Sequence, residues 1–459
     1  MEKILDFITP NMPEALGTTD SISIQNAVDL ASDLGINKVI IPRQNARTGK
    51  MRWDIDTAIL LPSDMTVVLD NCYMRFCDGI FDNMFRNANY DTPLGYTLEG
   101  RQHDIHILGI GNAVLDGGVH NGFTEYTQKG PDKRPMYYNS FINMMNVERL
   151  SVKNIRMLEM RYWAFTFHYC AEGHISDIDF DAPHSAINQD GIDLRTGCNN
   201  FIIENITGIT GDDTIALTNL RCRYDEAMSP TGLSRDIHHV IIRNVNSTTP
   251  CGLIRLLNHG GKKLYNVTIE NIIERESEQF RAGSCVRIGE NSYYGDGIKA
   301  QLGDTFNITV RNVQSRSRMG VRVNCALDNA VFDNIQMFDK GGTAVYFGPG
   351  DFRNIKVSNT GYSMLVTPKD TDDNRIEGNT NQRYNDPVSP DRTLNAVYFK
   401  ESNAENISFE NIHAHSQLTS VFGGSGSVTM KASGIVRDDP NVPLFDGELK
   451  ASKMTTDEF

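Results

Sequence analysis

Short stretches of alternating apolar and polar residues run through the chain, and one phrase keeps returning: apolar-x-apolar, a polar residue, Asn, then Ile or Val. It occupies Leu150 to Ile155, Ile202 to Ile206, Val240 to Val245, Val267 to Ile272, Ile308 to Val313 and Ile407 to Ile412. Shorter forms occur at Asn334-Ile335 and Asn354-Ile355, and Asp replaces Asn at Asp177-Ile178. The alternation predicts a short strand with one face inward. Asn tolerates the left-handed backbone that a sharp corner needs, and its amide can bond local backbone. The Ile or Val that follows returns to the core.

Taking the Asn or Asp as a register mark gives 154, 177, 205, 244, 271, 312, 334, 354 and 411. Most steps equal about one turn of a solenoid built from repeats of roughly 20–30 residues. The long steps, 205 to 244, 271 to 312 and 354 to 411, leave room for loops beside the stack. A sandwich would show turns every ~8–12 residues, so the pattern predicts an all-β, single-stranded, right-handed parallel β-helix.

Both ends fit that reading. Ser21 to Leu34 has helical apolar spacing, with Ser21 or Asp20 as the expected cap. A solenoid must cover its open first coil, and this helix is placed to do so. The expected organisation is a cap and first coil over 1–60, the β-helix over 61–420, and a closing segment with a mobile end over 421–459. Pro368 to Thr393, dense in Asp, Asn, Thr and Pro, reads as a long excursion. The sequons at Asn205, Asn246, Asn266, Asn307 and Asn406 fall in or beside the repeat phrase and read as its by-products.

Composition narrows the partners. A net charge of -14 disfavours nucleic acid and anionic membranes. Eight cysteines stand singly, with no CxxC pair and no zinc spacing. Reduced thiols and the absence of a charged, then apolar, start over Met1 to Gly17 set a cytoplasmic expectation. A secreted protein whose leader is missing from the sequence would look the same. No metal or cofactor is expected, and oligomeric state is not legible.

Candidate chemistry lies in two acidic motifs, Asn188-Gln189-Asp190-Gly191-Ile192-Asp193 and Gly211-Asp212-Asp213-Thr214. From Asp190 to Asp212 is 22 residues, about one coil. Coils stack ~4.8 Å apart, so this spacing would crowd three carboxylates into one patch. Crowded carboxylates push their pKa values apart, which supplies a proton donor and a base near neutral pH.

With these motifs assembled, the chain resembles the polygalacturonase-type glycoside hydrolases, family 28, whose fold is the pectin-lyase-like solenoid. Four signatures carry the resemblance: Ile105 to Gly117, Arg134-Pro135 through Asn146-Val147 to Trp163 and Cys170, Asn188-x-Asp190, and Gly211-Asp212-Asp213. The resemblance implies an inverting hydrolase with Asp212 as general acid, Asp190 and Asp213 activating water, and Asn188 orienting a carboxylate or touching sugar. It departs in four places. Gly-His-Gly is Pro250-Cys251-Gly252, Arg-Ile-Lys is Arg287-Ile288-Gly289, the Thr of Asn-Thr-Asp is Gln189, and the usual Cys after Asp-Asp is Thr214. Losing that Lys removes a point charge, so the expected substrate is a pectin-like or related poly- or oligosaccharide other than plain polygalacturonate.

Around this core, Arg287 is an expected substrate contact and Asp193 a brace for the strand. Arg255 and His259 lie near the altered Gly-His-Gly position, and His259 is a candidate replacement for the missing histidine. Cys251 reads as a small buried residue. Tyr293 and Tyr294, and Phe123 and Tyr126, are aromatic candidates for sugar stacking, whereas Trp163 reads as a core residue on a strand. Two other functions remain open: a polysaccharide lyase or epimerase on the same fold, and a non-catalytic glycan-binding solenoid.

Overall fold

The computed structural model describes residues 6–124, 134–182, 186–220, 230, 232–279, 281–290, 298–338, 342–363, 394–446 and 448–457. The expected excursion over 368–393, together with Tyr126, Tyr293 and Tyr294, lies outside these. The chain divides into two compact units, 1–211 with 222–235 and 212–221 with 236–459.

In the first unit, α1 spans Asp20–Asp33 and packs on the strands Lys38–Pro42, Trp53–Ile55 and Ile59–Leu61. It is the expected cap helix, but its N-cap is Thr19, whose hydroxyl accepts from the Ile22 N–H at 3.3 Å. Asp20 and Ser21 tie the helix to the first coil instead. Asp20 accepts from Arg47 Nε at 2.9 Å and from the Asp54 N–H at 2.8 Å, and Ser21 accepts from the Asp56 N–H at 2.9 Å. From there, strands at Lys38–Pro42, Met65–Asp70, Gln102–Ile110, Val147–Leu158, Ala171–Asp181 and Asn199–Ile209 pair in parallel, each with the next. A second row runs Ile59–Leu61, Phe85–Asn87, Ile142–Met145, Phe165–His168 and Ile192–Arg195.

The second unit repeats the plan. Ile237–Thr248, Leu264–Glu274, Thr305–Ser315, Leu327–Met337, Gly350–Tyr362, Asn395–Ala414, Ser420–Ser433 and Glu448–Asp457 pair in parallel. Strand pairing therefore continues past residue 420, through Glu448–Asp457. Inward positions align from coil to coil: Val240, Val267, Ile308, Ala330, Ile355 and Ile407 form one buried row. Each buried Val or Ile contributes roughly 1.5–3 kcal/mol, and because the rows are continuous every coil protects the next.

The corner residues behave as the phrase predicts. Asn154, Asp177, Asn205, Asn244, Asn271, Asn312, Asn334, Asn354 and Asn411 all have φ between 54° and 59°. Within the second unit their side chains bond rung to rung, Asn271 to Asn244 at 3.1 Å, Asn312 to Asn271 at 3.0 Å and Asn334 to Asn312 at 3.1 Å. One register mark moves. Asn354 belongs to a parallel ladder five residues upstream, where Asn406 donates to it at 2.8 Å, and Asn359 is the rung between Asn334 and Asn411. Among the described residues no helix is long and apolar enough to cross a membrane.

Candidate active site

In the first unit, Asn188 turns the chain at φ 59°, and Gln189 holds the turn. Its side-chain nitrogen donates to the Met160 carbonyl at 2.7 Å and its side-chain oxygen accepts from the Ala186 N–H at 3.3 Å. Gln189 is thus a brace for the loop. Asp190 is buried at 1% exposure, with its carbonyl accepting from the Ala164 N–H at 2.9 Å. Asp193, fully buried, pairs with Thr166 inside the strand Ile192–Arg195.

Trp163 lies just before the strand Phe165–His168 rather than on it. It stacks on Tyr162 at 4.6 Å and Tyr137 at 5.5 Å, with the Arg195 guanidinium 4.9 Å from its ring centre. Phe123 meets Phe81 edge-on at 5.2 Å, so it is part of the packing around this cluster.

In the second unit, Asp212 and Asp213 precede the strand Ile215–Asn219, which pairs with Gly252–Asn258. Backbone bonds fix the approach. Thr249 donates its hydroxyl to the Asp212 carbonyl at 2.5 Å and accepts from the Cys251 N–H at 3.2 Å, and the Thr214 N–H donates to the Gly252 carbonyl at 3.3 Å. The Asp212 carboxylate accepts from the Asp213 N–H at 3.0 Å. Gly252 leaves room here, since a Cβ at that position would stand 3.2 Å from Asp213 Oδ1.

Asp212 and Asp213 are 4% and 0% exposed. Arg255 Nη1 stands 2.8 Å from Asp213 Oδ2. Burial pushes the Asp213 carboxyl up to about 6; Arg255 opposes that rise, the neighbouring Asp212 adds to it, and Arg287 and a hydrogen bond from Cys251 oppose it. Cys251 is therefore more than a small apolar filler: its sulfur and the two carboxylates lie within 4.8 Å of one another. Burial, then Asp212 and Asp213, push its thiol well above the ordinary range, so it stays protonated and acts as a donor. Two carboxylates and a sulfur could in principle take a cation, but Arg255 already supplies positive charge to Asp213.

Arg287 lies on the strand Ser284–Ile288 and pairs in register with Arg255. It forms an ion pair with Glu290, which also stands 3.8 Å from Arg322. His259 is not brought to the carboxylates. It follows the end of the strand Gly252–Asn258, seven residues beyond Gly252, and at ~3.3 Å per residue that is about 23 Å from Gly252. Its N–H donates to the Asn219 carbonyl at 3.2 Å. Of the two, Cys251 and not His259 stands beside Asp212 and Asp213.

Residues 85–225 match the profile of Glycosyl hydrolases family 28, and that segment holds Asn188, Asp190, Asp212 and Asp213. The chain is a family-28-like β-helix protein. No curated protein matches it. Among solved structures it is similar to pre-mature bacteriophage phi29 gene product 12, at 12% identity and TM-score 0.60, over 98% of this chain and 55% of that one. It is also similar to the tailspike of E. coli bacteriophage HK620 in complex with pentasaccharide, at 12% identity and TM-score 0.55, over 95% of this chain and 67% of that one. The exopolygalacturonase of Thermotoga maritima aligns at 12% identity and TM-score 0.47, over 95% and 92% of the two chains. At such identities the first two show the fold alone, a right-handed parallel β-helix.

Glu290, Arg322, Tyr346 and Tyr398 were not legible as candidates. Arg255, Arg287, Arg322, Tyr346 and Tyr398 occupy one row across successive coils. A second repeat phrase marks it, an apolar residue, then Arg or Tyr, then another apolar residue, as in Val286-Arg287-Ile288, Val321-Arg322-Val323 and Val345-Tyr346-Phe347.

Proposed function

We propose that the protein is an inverting glycoside hydrolase acting on a pectin-like or related poly- or oligosaccharide. The observation that carries this reading is the pair Asp212 and Asp213, adjacent and buried, with Arg255 and Cys251 adjusting one of them, inside a segment that matches the family 28 profile. Asp212 donates its proton to the glycosidic oxygen as the bond to the anomeric carbon breaks, and that oxygen leaves as a hydroxyl. Water attacks the anomeric carbon from the opposite face and loses its proton to Asp190 or Asp213, the two carboxylates assigned to that water. Asp190 shares the positioning of that water, a role that rests on its sequence motif. Arg287 contacts the substrate, and the part given to Asn188, orienting a carboxylate or touching sugar, rests on its sequence motif.

The test is release of reducing ends, with ultraviolet absorbance, from pectic, rhamnogalacturonan and neutral oligosaccharides, run beside Asp212→Asn. Reducing ends without new absorbance, lost in the variant, support the hydrolase. New absorbance would make the protein a lyase, because elimination leaves a carbon–carbon double bond. Silence across the panel would favour a glycan-binding solenoid.

A further inference from the structure

We infer that the row Arg255, Arg287, Arg322, Tyr346 and Tyr398 is a binding strip for a sugar chain lying along the stack, with Arg322 holding an anionic substituent on a unit away from the cleaved bond and Tyr398 stacking on a sugar ring. The strip builds on the glycoside hydrolase reading and extends it by three coils beyond Arg287.

Register and burial place these side chains on the outer face. In each strand the flanking residues are buried, Ile254 and Leu256, Val286 and Ile288, Val321 and Val323, Val345 and Phe347, Val397 and Phe399, while the row residue is partly exposed. At ~4.8 Å per coil, the row spans about 20 Å from Arg255 to Tyr398.

Stability alone does not account for the charges. Like charges directly opposite on paired strands are destabilising. Elsewhere in this unit the coils pair opposite charges, Arg311 with Glu270, Arg353 with Asp328 at 2.5 Å and Lys356 with Glu410 at 2.6 Å. Here three arginines stack on consecutive coils, and Arg287 and Arg322 share the Glu290 carboxylate. In a chain of net charge -14, this is a local concentration of positive charge next to the acidic pair.

Arg322 is also held in place. With the Asn324 amide turned so that its nitrogen donates to the Val323 carbonyl, its oxygen accepts from Arg322 Nη2 at 2.7 Å and Nε at 3.0 Å. Glu290 approaches from the preceding coil. A guanidinium fixed from two sides loses little freedom when it binds an anion. Beyond it the Tyr346 and Tyr398 rings stack with centres 5.7 Å apart and planes 19° from parallel. The residue paired with Tyr398 on the next coil is Gly423, where a Cβ would stand 2.5 Å from the Asn395 side-chain nitrogen. Packing thus requires glycine there, and no side chain from that position covers the Tyr398 ring.

The test uses titration calorimetry on Asp212→Asn with a uronic-acid hexasaccharide, its dimer, and the same hexasaccharide fully methyl-esterified. The acid form should bind more tightly than the ester. Adding Arg322→Gln should weaken the acid form roughly ten- to a hundredfold and leave the ester within about twofold, with Arg322→Lys between. Tyr398→Ala should weaken the hexamer and spare the dimer. Equal binding of acid and ester, binding of neither, or an acid-form affinity that folded Arg322→Gln and Arg322→Lys both leave unchanged would overturn the strip. Turnover that ignores Arg322 would sink the strip and keep the hydrolase. Arg322-dependent binding with no turnover of any sugar by the unmodified protein would do the reverse.

Discussion

Arg255 Nη1 lies 2.8 Å from Asp213 Oδ2, and this contact opposes the burial that raises the carboxyl to about 6. Removing the guanidinium should leave burial and Asp212 unopposed by their largest counterweight. The acidic limb of kcat/KM, which rises through about pH 6 in the unmodified protein as Asp213 ionises, should therefore move to higher pH in Arg255→Gln. A pH–rate profile with the limb unmoved would show that Asp213 is not the base.

The same carboxyl makes a stability statement. Its folded pKa lies above the unfolded value of ~3.9, so the native state binds the proton more tightly. Its contribution is fully present below about pH 4 and is lost as pH climbs through about 6. Chemical denaturation at pH 4 and pH 7 should show a smaller drop between the two in Asp213→Asn than in the unmodified chain. An identical drop would place the titration elsewhere.

Gly252→Ala tests the room beside Asp213. The new methyl would sit 3.2 Å from Asp213 Oδ1, at a backbone conformation that alanine adopts without strain. A shift of a few tenths of an ångström at a reacting group should lower kcat by roughly tenfold, with the melting temperature nearly unchanged. Full activity in this variant would argue that the position of Asp213 is not critical.

Asn271→Ala should cost about 1–3 kcal/mol in urea unfolding. Alanine at φ 59° loses ~1–2 kcal/mol, and the bonds to Asn244 and from Asn312 disappear. Asn271→Gly should cost less, because it keeps the backbone and gives up the bonds alone. If alanine proved no worse than glycine, the left-handed corner would not be what selects asparagine.

The corners were legible because a left-handed residue at each coil limits the choice of side chain, and asparagine satisfies both backbone and neighbour. Asn354 was misplaced for the same reason: two asparagine ladders run five residues apart, and spacing alone cannot separate them. The cap was misplaced by one or two residues because Thr19, Asp20 and Ser21 are all good capping residues. Which of them faces the helix and which faces the first coil is settled by packing. The acidic motifs were legible because their residues are contiguous. The row from Arg255 to Tyr398 was not, since its members lie 24 to 52 residues apart, and only strand register makes them neighbours. Glu290 joins them because the chain folds back three residues after Arg287.

The asparagine rungs have a consequence for how such a protein can change. Between Asn312 and Asn334 the chain travels 22 residues, and between Asn359 and Asn411 it travels 52, yet the side chains meet at 3.1 Å and 3.0 Å. Height along the stack is therefore set by the rung and not by the contour of chain between rungs. Insertions between rungs can lengthen, shorten or be exchanged without altering the position of any strand above or below. A lineage carrying this ladder can rebuild the surroundings of its acidic pair one excursion at a time, with the scaffold already in register.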